Sequence, residues 1–133
     1  MANEDKPYEL PEGWVWCKLG NSGYTQTGST PSKKQPNYYG NLIPFLGPAD
    51  ISNNWMKYPE EGLSQEGIAV GRLIAKNSLM MVCIGESIGK CNINTMDVSC
   101  NQQINTITPI LNEAFYIKSC CQSPYFQNEV LTR

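Results

Sequence analysis

Leu79-Met80-Met81-Val82-Cys83-Ile84 is an unbroken apolar run, set between Asn77-Ser78 on one side and Gly85 on the other. Its length is that of an ordinary strand and too short for most helices. A half-buried strand alternates apolar and polar residues, whereas a strand covered on both faces does not. This stretch is therefore expected in the interior of a sheet, with layers packed above and below it. Moving outward, Gly85 to Gly89 reads as a tight loop, and Lys90 to Asn94 and Ile104 to Thr108 alternate as strands. Upstream, Ser64 to Ala75 has a loosely helical pattern that Gly67 and Gly71 weaken, with Ser64 placed to cap it. Downstream, Asn112 to about Leu131 is the best helix, with Asn112 at its cap and Pro124 expected to interrupt it.

The N-terminal half is richer in turns. Residues 1–12 are polar and acidic and contain Pro7 and Pro11, so they read as a tail or linker. Trp14-Val15-Trp16 opens an expected strand to Leu19, with one tryptophan directed to the core and the other to an edge or interface. A turn at 20–23 leads to a short strand from Tyr24 to Thr27. Gly28 to Gly40 carries Pro31 and Pro36 around Ser32, Lys33 and Lys34, and is expected to be a loop. Ile43 to Leu46 resumes extended structure, and Ala49-Asp50-Ile51 starts a turn. The sum is an α+β domain on a mixed, mainly antiparallel sheet with a few helices.

At 133 residues, with 41% hydrophobic and 17% charged residues, the chain has the length and composition of one globular domain. No apolar run approaches the roughly 20 residues that span a bilayer. Met1 is followed by Ala2, Asn3 and Glu4 and not by a basic and then apolar stretch, so the expected compartment is the cytoplasm. The six cysteines lack any Cys-x-x-Cys spacing, and there is no histidine, so reduced, buried cysteines are expected and no metal site. Without histidine, the Ser-His-Asp and Cys-His arrangements are excluded. Gly85-Glu86-Ser87-Ile88-Gly89 has the spacing of a nucleophile elbow, but strand-like residues follow where a helix belongs. No glycine-rich phosphate loop is present, so no nucleotide cofactor is expected.

The net charge of −2 hides a polarity along the chain. Glu4, Asp5, Glu9 and Glu12 crowd the leader. From Lys18 to Tyr58, Lys18, Lys33, Lys34 and Lys57 face only Asp50, a local balance of +3. That segment permits phosphate contact without requiring it.

Several segments, taken in order, carry a family resemblance. They are Leu10-Pro11-Glu12-Gly13-Trp14-Val15-Trp16 with Leu19-Gly20, then Gly28-Ser29-Thr30-Pro31-Ser32, a Gly-x-Thr-Pro-Ser loop. Tyr38-Tyr39-Gly40, Ile43-Pro44-Phe45-Leu46 and Asp50-Ile51 follow, then Ile84-Gly85 with Ser87-Ile88-Gly89, and finally Asn101-Gln102-Gln103-Ile104. Together they resemble the target recognition domain of the specificity subunit of type I restriction-modification systems. The resemblance implies a fold like that of the DNA methylase specificity domain, in residues 13–133 behind the acidic leader. It further implies a non-catalytic cytoplasmic subunit that selects a sequence in double-stranded DNA, in assembly with modification (methyltransferase) and restriction subunits. Family members continue past the corresponding helix into more strands and a helical spacer, so this chain is expected to be a fragment or a truncated product.

Reading bases needs groups that donate and accept at base edges, while phosphate contacts only fix position. The chain has 13 Asn and 7 Gln against two Arg. The residues expected at DNA are Thr30, Ser32, Lys33, Lys34, Gln35, Lys57, Asn101 and Gln102. Each has a plainer reading. Lys33 and Lys34 are either phosphate contacts or a solvated loop pair. Asn101 and Gln102 either tie down neighbouring backbone or point at the target, and the structural role is favoured because Cys100 beside them suggests burial. A protein-interaction module, or an orphan truncated domain without DNA binding, is the rival for the whole chain.

Overall fold

The computed structural model of the chain describes residues 9–10, 12, 19–110 and 113–131. The expected strand from Trp14 lies outside these residues up to Leu19, which instead opens a 3-10 turn, Leu19–Asn21. Cys17, Lys18, the Asn112 cap and nearly all of the 1–12 leader also lie outside.

Among the described residues, eight strands and three α-helices follow: β1 (Gly23–Thr27), β2 (Tyr39–Gly40), β3 (Ile43–Leu46), β4 (Gly62–Leu63), α1 (Gln65–Val70), β5 (Leu79–Val82), β6 (Cys91–Ile93), β7 (Ser99–Cys100), β8 (Ile104–Pro109), α2 (Ala114–Cys121) and α3 (Pro124–Leu131). They form two four-stranded sheets, ordered β1-β8-β5-β6 and β2-β4-β3-β7. All neighbours in the first sheet are antiparallel, and in the second β3 and β7 run parallel. The expected α+β architecture with a mixed, mainly antiparallel sheet is what forms, divided over two sheets.

The apolar run becomes β5, an interior strand whose four residues are all buried. Alternate side chains go to opposite faces of a strand. Met80 and Val82 join Leu46, Ile51, Ile74, Val98, Cys100 and Ile104 in a core that draws on both sheets. Leu79 and Met81 join Cys91, Ile93, Ile117 and Cys121 in a second core beneath α2 and α3. The run is continuous because the sheet is covered twice. It is shorter than expected: Cys83 leaves the ladder and Ile84 is 56% exposed.

The helical expectations are corrected in extent. α1 stops at Val70, with Gly71 as its C-cap, and Ile74 pairs with Val98 in an isolated bridge. Ser64 caps α1 as expected, its hydroxyl accepting from the Gly67 amide at 3.1 Å. The long C-terminal helix is two helices, and Pro124 is the first residue of α3. Proline has no N–H to give and suits the first helical turn, so the break falls where its chemistry fits.

The five described cysteines are free thiols. Burial pushes the thiols of Cys100 and Cys121 up to about 12 and that of Cys91 to about 11, the latter against the opposing pull of Lys118 and a Gln122 hydrogen bond. They stay protonated and pack as small apolar groups.

Candidate nucleic-acid interface

Two segments far apart in sequence, the loop after β1 and the turn between β7 and β8, meet at one end of the sheets. The Gly28 amide donates to the Ile104 carbonyl at 2.9 Å, and the Ser29 amide to the Cys100 carbonyl at 2.9 Å. The approach leaves no room for a side chain at residue 28: a Cβ there would lie 2.0 Å from the Asn101 carbonyl oxygen and 2.6 Å from that of Cys100. The Thr30 hydroxyl then donates to Gln102 Oε1 at 2.7 Å. Pro31 is buried, and its carbonyl accepts from the Tyr39 hydroxyl at 2.5 Å. Tyr39 thus packs under the loop.

Beyond Pro31 the chain turns outward. The Gln35 amide closes a tight turn on the Ser32 carbonyl at 3.2 Å, and the Ser32 hydroxyl accepts from the Lys34 amide at 3.3 Å. Ser32, Lys33, Lys34 and Gln35 are all exposed. The turn leads into a 3-10 segment, Pro36–Tyr38, tied to the start of α1 by Asn37 and Glu66 and by the Ser64 amide on the Tyr38 carbonyl at 3.0 Å. The lysines therefore sit on a turn braced at both ends.

In the 100–104 turn, Asn101 is structural. Its Oδ1 accepts from the Gln103 amide at 3.0 Å, and its Nδ2 donates to Gln103 Oε1 at 3.2 Å. Its own amide donates to the Leu46 carbonyl at 3.1 Å, extending the parallel β3–β7 ladder. Gln102 differs from its neighbour: it is exposed, and its amide group is shared with Thr30. Replacing Asn101 by alanine is expected to cost about 1–3 kcal/mol of stability, since the Gln103 amide loses its acceptor. A denaturant midpoint unchanged by Asn101→Ala would contradict this assignment.

Lys57 belongs to a different turn. Its amide donates to the Asp50 carbonyl at 2.9 Å, and Asp50 Oδ2 accepts from the Gly47 amide at 2.9 Å. That loop borders the same turn, because Asn101 Nδ2 lies 3.6 Å from where a Cβ on Gly47 would be. The structure thus joins Thr30, Asn101 and Gln102 directly, with Lys57 reached through 47–50. Lys33, Lys34 and Gln35 are carried on the loop's outer turn. Sequence reasoning passed over Gln103, whose carbonyl accepts from the Cys83 amide at 2.8 Å and ties the turn to the end of β5. Three consecutive amide residues gave no signal separating the tie from the exposed group.

Gly85 and Gly89 both have positive φ, at 106° and 93°, and the strand β6 follows them. The Gly-x-Ser-x-Gly spacing here is a glycine-bounded turn between strands.

The chain matches the family described as type I restriction modification DNA specificity domain over residues 11–129. It is 31% identical over 103 residues to the type I restriction enzyme HindI specificity subunit of Haemophilus influenzae, covering 75% of this chain and 22% of that protein. Its fold matches the crystal structure of the HsdS subunit from Thermoanaerobacter tengcongensis with a TM-score of 0.75 at 18% identity, over 95% of this chain and 31% of the other. A chain from a structure of complex assembly and conformational transition in the type I R-M system matches with a TM-score of 0.74 at 19% identity, over 97% and 31% of the two chains. This chain belongs to the type I restriction-modification DNA specificity domain family. It spans between about a fifth and a third of the length of these relatives.

Proposed function

We propose that this chain forms part of the surface with which a type I specificity subunit recognises double-stranded DNA. The observation that carries the reading is the junction of the 28–35 loop with the 100–104 turn. Two of the segments that carry the family resemblance are locked together by Gly28, Ser29 and Thr30, and the lock leaves Ser32, Lys33, Lys34, Gln35 and Gln102 in solvent. A braced turn bearing two ammonium groups suits phosphate, and an exposed amide beside it suits a base edge. Lys57 extends the cationic side of the surface. Asn101 belongs to it as the residue that shapes the turn.

On this reading residues 13–133 belong to one recognition domain, with 1–12 as an acidic leader. The chain is non-catalytic and cytoplasmic, and works in assembly with modification and restriction subunits. No helix among the described residues is long and apolar enough to cross a membrane.

With few cations, the isolated chain is expected to bind a labelled duplex with a dissociation constant of about 10⁻⁴–10⁻⁶ M at physiological salt. Fluorescence anisotropy at two salt concentrations should show affinity falling as salt rises. Absence of binding, or tight binding indifferent to salt, would contradict the reading.

A further inference from the structure

Indole is the largest apolar side chain, and tryptophan is enriched at interfaces, where an apolar body and a polar N–H are both of use. Trp55 is 47% exposed, and its position is fixed by its surroundings. It closes a four-residue turn in which the Ser52 amide donates to the Trp55 carbonyl at 3.0 Å, next to an antiparallel bridge between Ile51 and Met56. The turn is bolted to β6 and α2. Asn53 Oδ1 accepts from the Cys91 amide at 3.0 Å, the Ser52 carbonyl from Asn92 Nδ2 at 2.8 Å, and the Asn53 carbonyl from Gln122 Nε2 at 3.3 Å. The backbone that carries the indole is therefore held in place, and little backbone ordering entropy remains to be lost on binding.

Over that ring stands an ammonium group: Lys57 Nζ lies 5.4 Å from the Trp55 centroid, within cation–π range. One oxygen of the nearby Asp50 carboxylate accepts from the Gly47 amide at 2.9 Å. An apolar plate with a cation at its face matches one chemical unit in particular. A nucleotide presents an apolar sugar or base face with an anionic phosphate alongside. The turn also continues directly into the 47–50 loop that borders Asn101, so it lies next to the surface described above.

We propose that Trp55 and Lys57 form a second DNA-contact element, the indole packing on a sugar or base face and the ammonium meeting the neighbouring phosphate. The inference rests on the reading of the chain as a DNA binder, and its test separates the two. Trp55→Ala, Trp55→Phe, Lys57→Gln and the Lys33→Ala/Lys34→Ala pair are each titrated with one labelled duplex at two salt concentrations, and each is checked by thermal melting. Trp55→Ala should weaken binding about tenfold at both concentrations with the salt slope unchanged, because the contact it removes is apolar. Trp55→Phe should stay within about twofold of the parent. Lys57→Gln should lower the slope by about 1, as one phosphate contact is lost. If Trp55→Ala binds like the parent, the proposal is overturned, and the exposed indole serves a protein partner or none. Should Trp55→Ala fail to melt cooperatively, Lys57→Gln decides, and an unchanged slope overturns the proposal. If the Lys33/Lys34 variant weakens while the Trp55 and Lys57 variants do not, this element fails and the DNA reading stands. A parent chain that binds no duplex removes both.

Discussion

Replacing Gly28 by alanine is expected to destabilise the fold by about 3 kcal/mol or more, lowering the melting temperature by about 10 °C. The cause is backbone against backbone. A Cβ at residue 28 would sit 2.0 Å from the Asn101 carbonyl oxygen and 2.6 Å from the Cys100 carbonyl oxygen, and neither is the far end of a flexible side chain that can swing away. Relief requires the loop to lift off the 100–104 turn. That would break the bonds from Gly28 to Ile104 and from Ser29 to Cys100, and with them the Thr30–Gln102 contact. Stability and DNA affinity should therefore fall together in Gly28→Ala. A variant that melts like the parent would mean that the loop does not lie on the turn.

Asn94→Ala should cost about 2–4 kcal/mol, because the fully buried amide satisfies the Ser78 amide and shares its two hydrogens among three neighbouring carbonyls. Asn94 Oδ1 accepts from the Ser78 amide at 2.8 Å, while Nδ2 donates to the carbonyls of Ile74, Ala75 and Met96 at 3.3, 2.9 and 2.9 Å. These bonds fix the chain before β5 against the loop after β6, where Ile74 and Val98 pair just ahead of β7. Alanine removes these bonds from the Ser78 amide and the Met96 carbonyl, whereas the Ile74 carbonyl keeps the Val98 amide and the Ala75 carbonyl keeps the Ser78 hydroxyl. Asn94→Asp keeps an acceptor for Ser78 but loses the donors and buries a charge, so it should be at least as damaging. Urea denaturation measures both, and a shift in the alanine variant equivalent to less than about 1 kcal/mol would contradict this role.

Sequence revealed the elements that rely on side-chain pattern and concealed those that rely on backbone approach. The apolar run at 79–84 announced an interior strand because burial on two faces leaves a composition that nothing else requires. Pro124 marked the helix break by its missing N–H. By contrast, β2, β4 and β7 have two residues each, too few for any period to register. In β4, Gly62 lets the strand approach Ile43, whose carbonyl oxygen would lie 1.8 Å from an added Cβ, so the decisive feature is an absent side chain. Gly67 was read as a weakness of α1, yet its lack of a side chain is what lets the helix close on the Tyr38 carbonyl.

The candidate interface was legible in part. The Gly-x-Thr-Pro-Ser loop and the Asn-Gln-Gln-Ile turn were both identified through resemblance, and the favoured structural role for Asn101 matches its bonds to Gln103. That the two motifs form one unit was not legible, because the pairing spans some seventy residues and carries no local signal. Nor was the position of Trp55, since composition suggests that an indole should be inside.

If the exposed turn at 32–35 meets the phosphates of duplex DNA, removal of its two cations has a signature that does not depend on base sequence. The Lys33→Ala/Lys34→Ala variant and the parent are titrated with several duplexes of different sequence across a range of salt. Binding should weaken about equally on every duplex, and the slope of log affinity against log salt should fall by about 2. A loss confined to one sequence would mean base contact in place of phosphate contact, and an unchanged affinity and slope would contradict phosphate contact at this turn outright.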